Sequence, residues 1–422
     1  MKTREDIIVV GGGPVGTCCA LELARAGASV TLLERQPEIC PPESGAHANC
    51  GLLVPSEATP LAAPGVLGQG LRWLLDSSSP FYIAPRPSPA LARWLWLFRA
   101  ACSEQRAQAA APVLRALHAL SARLHDELAG DGEGERWSFH HDGELQAFET
   151  QVGLTAASHD VETARAMGVP VDDVSADEAR RMFPALRCDL AGAFFFPEDG
   201  HLDPLRFTRA VAAMAADAGA QVIVGAEALS LEPAPEGVRV VSTRGRFAAS
   251  QVVLAAGAWT PLLTRGLGLR LPVEPAKGYS VDVDRPPDFP DIPLYMGDAH
   301  VVLTPLGDAL RLGSTLELSG WDMRVRPKRV AHLRAGGERA IGLAADGPLR
   351  QLWRGPRPVT PDGLPVIGRV PGRERVILAT GHCMLGLTLG PGTGRLVAQV
   401  ASGATPDVDL APLAVQRFRR ML

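Results

Sequence analysis

Three glycines spaced as Gly11-x-Gly13-x-x-Gly16 are the residues whose pattern most directly implies chemistry. In such a corner the first glycine permits a tight turn. The second leaves out the Cβ that would strike a diphosphate, and the third lets a helix approach a strand closely. The N-terminus of the following helix then offers unpaired N–H groups and a favourable dipole to the anion. Glu34 stands eighteen residues beyond Gly16, where a carboxylate accepts from ribose hydroxyls and repels a 2′-phosphate. The chemistry so predicted is binding of a dinucleotide, with NADP disfavoured.

The surrounding elements are those the motif needs. Ile7-Ile8-Val9-Val10 reads as a strand, residues 15–26 as a helix ended by Gly27, and Val30-Thr-Leu-Leu-Glu34 as a second strand. Residues 39–89 are rich in Pro, Gly and Ser and read as loop. A helical region follows from about 90 to 129. Val113, Leu117, Leu120, Leu124 and Leu128 form one face of it, and a break is expected at Pro112. An acidic helix is expected at 176–182 and another helix over 203–218, with strands at 221–224, 238–243 and 251–257. Residues 271–355 read as strands and turns; a strand at 376–379 and a helix near 393–401 restore α/β character.

Composition narrows the classes. The chain has 422 residues, 42 Lys+Arg against 46 Asp+Glu and a net charge of −4, which argues against a nucleic-acid binder. Seven scattered Cys without CxxC or HExxH spacing predict reduced thiols and no metal centre. The N-terminal apolar run breaks after four residues and no stretch has membrane-spanning length, so a cytoplasmic protein is expected. The Trp94–Phe98 patch leaves open a surface facing the inner membrane or an electron-transfer partner.

Two features favour FAD over NAD. A small-residue loop, Ser44-Gly-Ala-His-Ala-Asn49-Cys-Gly51-Leu52, follows the second strand where NAD domains usually continue into another βα unit. The segment Ala379-Thr-Gly381-His382-Cys-Met-Leu-Gly386-Leu-Thr388 returns to the nucleotide domain after some 300 residues, as a long ligand with several walls requires.

These motifs belong with Leu61-Ala-Ala-Pro-Gly65, Pro275-x-Lys277-Gly278-Tyr279-Ser280 and Arg357-Pro-x-Thr360-Pro361-Asp362-Gly363. Together they resemble the D-amino-acid dehydrogenase branch of the D-amino-acid oxidase/glycine oxidase flavoprotein family, nearly end to end. The resemblance implies an α/β fold with a doubly wound, Rossmann-like FAD-binding domain built from 1–80, 200–268 and 355–422. A substrate or cap domain with a mixed or antiparallel sheet would come from 81–199 and 269–354. It implies non-covalent FAD, held by Gly11, Gly13, Pro14, Val15, Gly16, Glu34 and Arg35 at the fingerprint and by Asn49, Gly51 and Leu52 in the small-residue loop. Ala228, Ala256 and Gly257, then Gly381, Gly386, Leu387 and Thr388, complete the cofactor set.

The implied reaction is oxidation of a D-amino acid to its imine, with electrons passed to a quinone or other carrier. The substrate is expected to be neutral, or cyclic like D-proline or cis-4-hydroxy-D-proline. The protein's part is orientation, since the cofactor supplies the redox chemistry. Arg357 is expected to grip the substrate carboxylate through its planar fork, with Tyr279 giving a second hydrogen bond and His382 lining the site. His47 has no assigned role. Met384 stands where some glycine oxidase-like relatives carry Arg, which predicts a more apolar wall. The alternatives are an oxygen-using glycine/sarcosine oxidase, an FAD subunit of a heteromeric hydroxyproline dehydrogenase, and, last, a nicotinamide dehydrogenase.

Overall fold

A computed structural model describes residues 6–57, 62, 81–234, 237–344 and 346–421. Its first sheet has the spatial order Val366–Val370, Arg373–Thr380, Gln251–Leu254, Asp6–Val10, Ser29–Leu33, Gln221–Ile223. All neighbours are parallel except the first pair. Alternate residues of the central strand serve two cores, Ile7 and Val9 on one side, Ile8 and Val10 on the other. A strand covered on both faces must be apolar throughout, which is why four β-formers run together here. Helices Pro14–Arg25, Pro204–Asp217 and Gly390–Ser402 cover the first face, and the antiparallel trio Ala228–Ala234, Gly237–Ser242 and Gly245–Ala249 covers the second. This is a doubly wound α/β arrangement.

The second sheet is mixed. Its order is Gln351–Val359, Glu274–Asp284, Ala309–Leu318, Val301–Leu306, Leu294–Met296, Glu144–Phe148, Gly192–Phe196, Asp172–Val174, with Phe81–Ile83 beside Ala309–Leu318. Tyr279, Val281, Leu303 and Leu312 face a core roofed by helix Pro327–Ile341. The opposite face, carrying Gly278, Ser280, Asp282 and Arg311, receives the 44–51 loop: Ser280 Oγ donates to Ala48 O at 2.6 Å and Arg311 to Asn49 O at 3.0 Å.

Several sequence expectations are corrected. The helical region breaks at Cys102-Ser103, not at Pro112: helices run Pro89–Ala101 and Glu104–Ala129, with Pro112 inside the second. That second helix, assigned to the cap by sequence, buries Val113, Leu117, Leu124 and Leu128 in the nucleotide-domain core, because its apolar stripe meets helix Gly390–Ser402. Strand Gln351–Val359 straddles the expected boundary at 355, yet pairs wholly with the second sheet. Helix Pro327–Ile341 lies in a region read as strands. Its Gly336-Gly337 pair lowers helix propensity but permits close approach, since a Cβ on Gly337 would lie 2.5 Å from Leu312. Helix Gln151–Ala166 was also missed, because only Val161 and Ala164 of it are buried. Trp94, Leu97 and Phe98 are core, Trp94 donating to Val359 O at 3.0 Å, and only Trp96 of that patch is strongly exposed. Among the described residues no helix is long and apolar enough to cross a membrane. The Leu61–Gly65 motif lies, apart from Ala62, outside the described residues.

Candidate active site

The glycine corner has the geometry its spacing predicts. Gly11 sits at φ +113°, where a Cβ would lie 2.6 Å from Ala255 O, and a Cβ on Gly16 would overlap Gly11 O. Gly13 caps helix Pro14–Arg25, and a Cβ there would meet nothing within 4 Å. The space it would enter belongs to a cavity of roughly 1480 Å³ including its open mouth. Gly11, Gly13, Pro14 and Val15 line it at the helix N-terminus. The vacant Cβ direction and the orphan N–H groups fit a diphosphate.

Glu34 is buried beside this corner, accepting from Gly12 N at 2.7 Å and Gln36 N at 2.9 Å. Its free lone pairs suit ribose hydroxyls. Arg35 and Ala228 line the cavity with it. Arg35 stacks on Trp259 at 4.0 Å from the ring centroid, and Trp259 meets Trp321 of the second sheet's connections at 5.0 Å. Asn49, Ala256 and Gly257 form further wall, and Gly386 and Leu387 close it from the C-terminal segment. These residues fit an extended FAD.

Five expected cofactor residues do not line the cavity; they brace its walls. Gly16 lies behind the turn. Gly51, at φ +74°, accepts from Leu202 N–H at 2.9 Å and donates its own N–H to Asn49 Oδ1 at 2.8 Å. Leu52 pairs with His201, and its carbonyl accepts from Thr388 Oγ1 at 3.3 Å. Thr388 O in turn accepts from Ser121 Oγ at 2.6 Å. Gly381 turns the chain at φ +76° beside Thr360.

Arg357 reaches the cavity from strand Gln351–Val359. It is 9% exposed and forms no ion pair with a carboxylate among the described residues. Its guanidinium lies flat on Gly278: a Cβ there would be 2.7 Å from Nε and 2.8 Å from Cζ. Desolvation lowers its pKa, and the titratable groups nearest it are the thiols of Cys50 and Cys383, which burial keeps protonated. A buried guanidinium without a counter-charge is costly, so the site is built to receive an anion.

His382 lines the same cavity. Burial pushes it down to about 3, and its Nε2 meets Thr393 Oγ1 at 2.9 Å. It is neutral, and it fixes the turn rather than carrying charge. The next residue, Cys383, has φ +53° and donates its N–H to Pro358 O at 3.0 Å. A left-handed non-glycine residue costs about 1–3 kcal/mol and marks a turn held by its surroundings. Met384 follows on the cavity wall as an apolar side chain.

Tyr279 is placed elsewhere, a correction to its expected role. Gly278 faces the guanidinium, so its neighbour on the strand points to the opposite face. Tyr279 is fully buried in the second core, where its hydroxyl donates to Glu317 Oε2 and Arg324 O, both at 3.3 Å. His47 is also outside the cavity, its Nδ1 2.8 Å from Cys40 O. Sequence reasoning missed Gly278, Cys50 and Trp259. Gly278 stood in the Lys-Gly-Tyr motif without an assigned role, since its contact with Arg357 depends on strand register.

Over residues 6–400 the chain matches the family described as FAD dependent oxidoreductase (DAO). It is 35% identical over 425 residues to a D-amino acid dehydrogenase of Cereibacter sphaeroides, covering 98% of this chain and 95% of the relative. A glycine oxidase structure from Geobacillus kaustophilus is similar with a TM-score of 0.78 at 27% identity, covering 98% and 99% of the two chains. An L-proline dehydrogenase from P. horikoshii shares the fold with a TM-score of 0.75 at 20% identity, covering 100% and 99%.

Proposed function

We propose, from the premise that the chain belongs to the FAD dependent oxidoreductase (DAO) family, that it oxidises a D-amino acid at Cα to the imine and passes the electrons to a quinone or similar carrier. It is an FAD-dependent oxidoreductase, and its curated relatives bear the name D-amino acid dehydrogenase. The observation that carries the substrate reading is Arg357, a buried, carboxylate-free guanidinium on the wall of the cavity that starts at Gly13.

When bound, the flavin supplies the two-electron sink that accepts the Cα hydride. The chain's residues supply grip and orientation. Arg357 takes the substrate carboxylate in a bidentate contact and so fixes the Cα–H direction. Neutral His382, tied to Thr393, keeps the 381–384 turn in register with Arg357. The substrate ammonium gives its proton to water before the hydride leaves. Water then adds to the imine, giving the keto acid and ammonia.

The test is anaerobic addition of D- and L-amino acids to purified holoenzyme while the flavin band is followed. D-amino acids should bleach it and L-isomers should not. Re-oxidation by a quinone analogue, with little peroxide in air, supports the carrier; peroxide formed at the rate of turnover assigns oxygen instead. Bleaching by L-amino acids alone refutes the proposal.

A further inference from the structure

Helix Glu104–Ala129 brings polar groups, as well as its apolar stripe, to the back of the cofactor cavity. Leu117, Ser121 and His125 follow one another at intervals of four and form one row on its surface. Ser121 and His125 are 0% and 3% exposed. Both meet the turn that leads into helix Gly390–Ser402. Ser121 Oγ donates to Thr388 O at 2.6 Å and accepts from Gly392 N at 3.1 Å. His125 Nε2 lies 3.1 Å from Leu387 O and 3.2 Å from Thr388 O. Carbonyl oxygens only accept, so Nε2 carries the ring proton and donates to both. Nδ1 is then bare and has no partner, and burial pushes the imidazole down to about 4, so it stays neutral. The ring packs on Phe207 and Phe139, at centroid distances of 5.2 and 6.3 Å. The close approach of the two helices needs Gly392, where a Cβ would lie 3.1 Å from Ser121 Cβ and 3.2 Å from Leu117 Cδ1.

The carbonyls of Leu387 and Thr388 are thus held from the side of helix Glu104–Ala129. A peptide plane is rigid and trans, so the N–H of Thr388 points opposite to Leu387 O. Gly386 and Leu387 line the cavity. Among the described residues the N–H groups of Gly386, Leu387 and Thr388 have no acceptor, although Leu387 and Thr388 are only 1% and 3% exposed. Buried donors left unpaired are costly, and successive free N–H groups on a cavity wall are built to meet an electron-rich group.

We propose that Ser121 and His125 are positioning residues for the flavin. By holding the two carbonyls from behind, they present the N–H groups of residues 386–388 to the cofactor, and so set both how tightly FAD is held and how readily it is reduced. Fixed N–H dipoles favour the form that carries more negative charge, which is the reduced one. Neither residue touches the cofactor cavity itself. The inference goes beyond the D-amino-acid reading and does not depend on it.

The experiment measures two properties of the holoenzyme that need no substrate. FAD release on dilution, followed by flavin fluorescence, gives the dissociation constant; dithionite titration against an indicator dye gives the midpoint potential. His125→Phe keeps a ring against Phe139 and Phe207 but removes the donor. It should raise the FAD dissociation constant at least tenfold and move the potential to a more negative value, by about 30 mV for each tenfold by which reduced FAD loses more affinity than oxidised FAD. Ser121→Ala, a smaller change, should shift both in the same direction. His125→Gln restores an N–H donor and should recover part of the loss. Leu124→Ala, in the same helix but in the apolar core, should lower Tm and leave the potential unchanged. Wild-type affinity and potential in His125→Phe and Ser121→Ala overturn the proposal, even where Tm falls. Equal shifts of potential in Leu124→Ala overturn it too, since the effect would then belong to the helix as a whole.

Discussion

Gly278→Ala isolates the carboxylate grip with the least disturbance. The backbone at Gly278 is not left-handed, so alanine is conformationally admissible. The three atoms nearest the added Cβ all belong to the Arg357 guanidinium, at 2.7 to 2.8 Å. Ordinary contact is about 3.5 Å, so the guanidinium must move by roughly 0.7 Å. It is the end of a flexible side chain, and the fold absorbs the shift. Replacing glycine where alanine fits even gains about 0.4–1 kcal/mol from the unfolded state. A displacement of about 1 Å at a reacting centre costs on the order of 10²-fold. Gly278→Ala should therefore lower kcat/KM for D-amino acids by roughly tenfold to a hundredfold, mostly through KM, with FAD content and Tm unchanged. Arg357→Ala sets the upper bound: losing one partner of a buried charged contact costs about 2–5 kcal/mol, or roughly thirtyfold to several thousandfold in KM. Steady-state dye reduction, flavin absorbance and thermal melting read the three quantities. Wild-type kinetics in a fully flavinated Gly278→Ala protein would refute Arg357 as the clamp.

Two further outcomes are expected. Gly13→Val should yield colourless protein that regains no flavin with added FAD, because its side chain enters the cavity where a Cβ now meets nothing; a fully yellow variant contradicts the cradle. Asp199, raised by burial from 3.8 to about 7, keeps a proton in the folded protein that the unfolded chain releases from about pH 4 upward. The unfolded state then binds fewer protons, so this group's contribution to stability falls as pH rises from about 4 to 7. Asp199→Asn should flatten that part of the Tm–pH curve, and parallel curves for the two proteins would exclude the assignment.

What sequence could and could not foretell follows from the range of each constraint. The diphosphate corner is local: Gly11 and Gly16 each answer a contact within a few residues or with the adjoining strand, and Gly13 leaves open the space at the helix N-terminus, so their spacing carries the function. Arg357 was legible as a residue but not in its setting, since its seat on Gly278 arises from pairing strands some eighty residues apart. The same register turned Tyr279 away, and a one-residue parity is invisible to a motif that names both neighbours. Helix Pro327–Ile341 hid behind two glycines kept for close packing rather than for propensity. Pro112 marked no break because Ser103, not the proline, starts its helix. Glu144 is farthest from legibility. Nothing in its neighbourhood along the chain signals a buried carboxylate oxygen without a partner, a property that exists only once strand Glu144–Phe148 is paired within the second sheet.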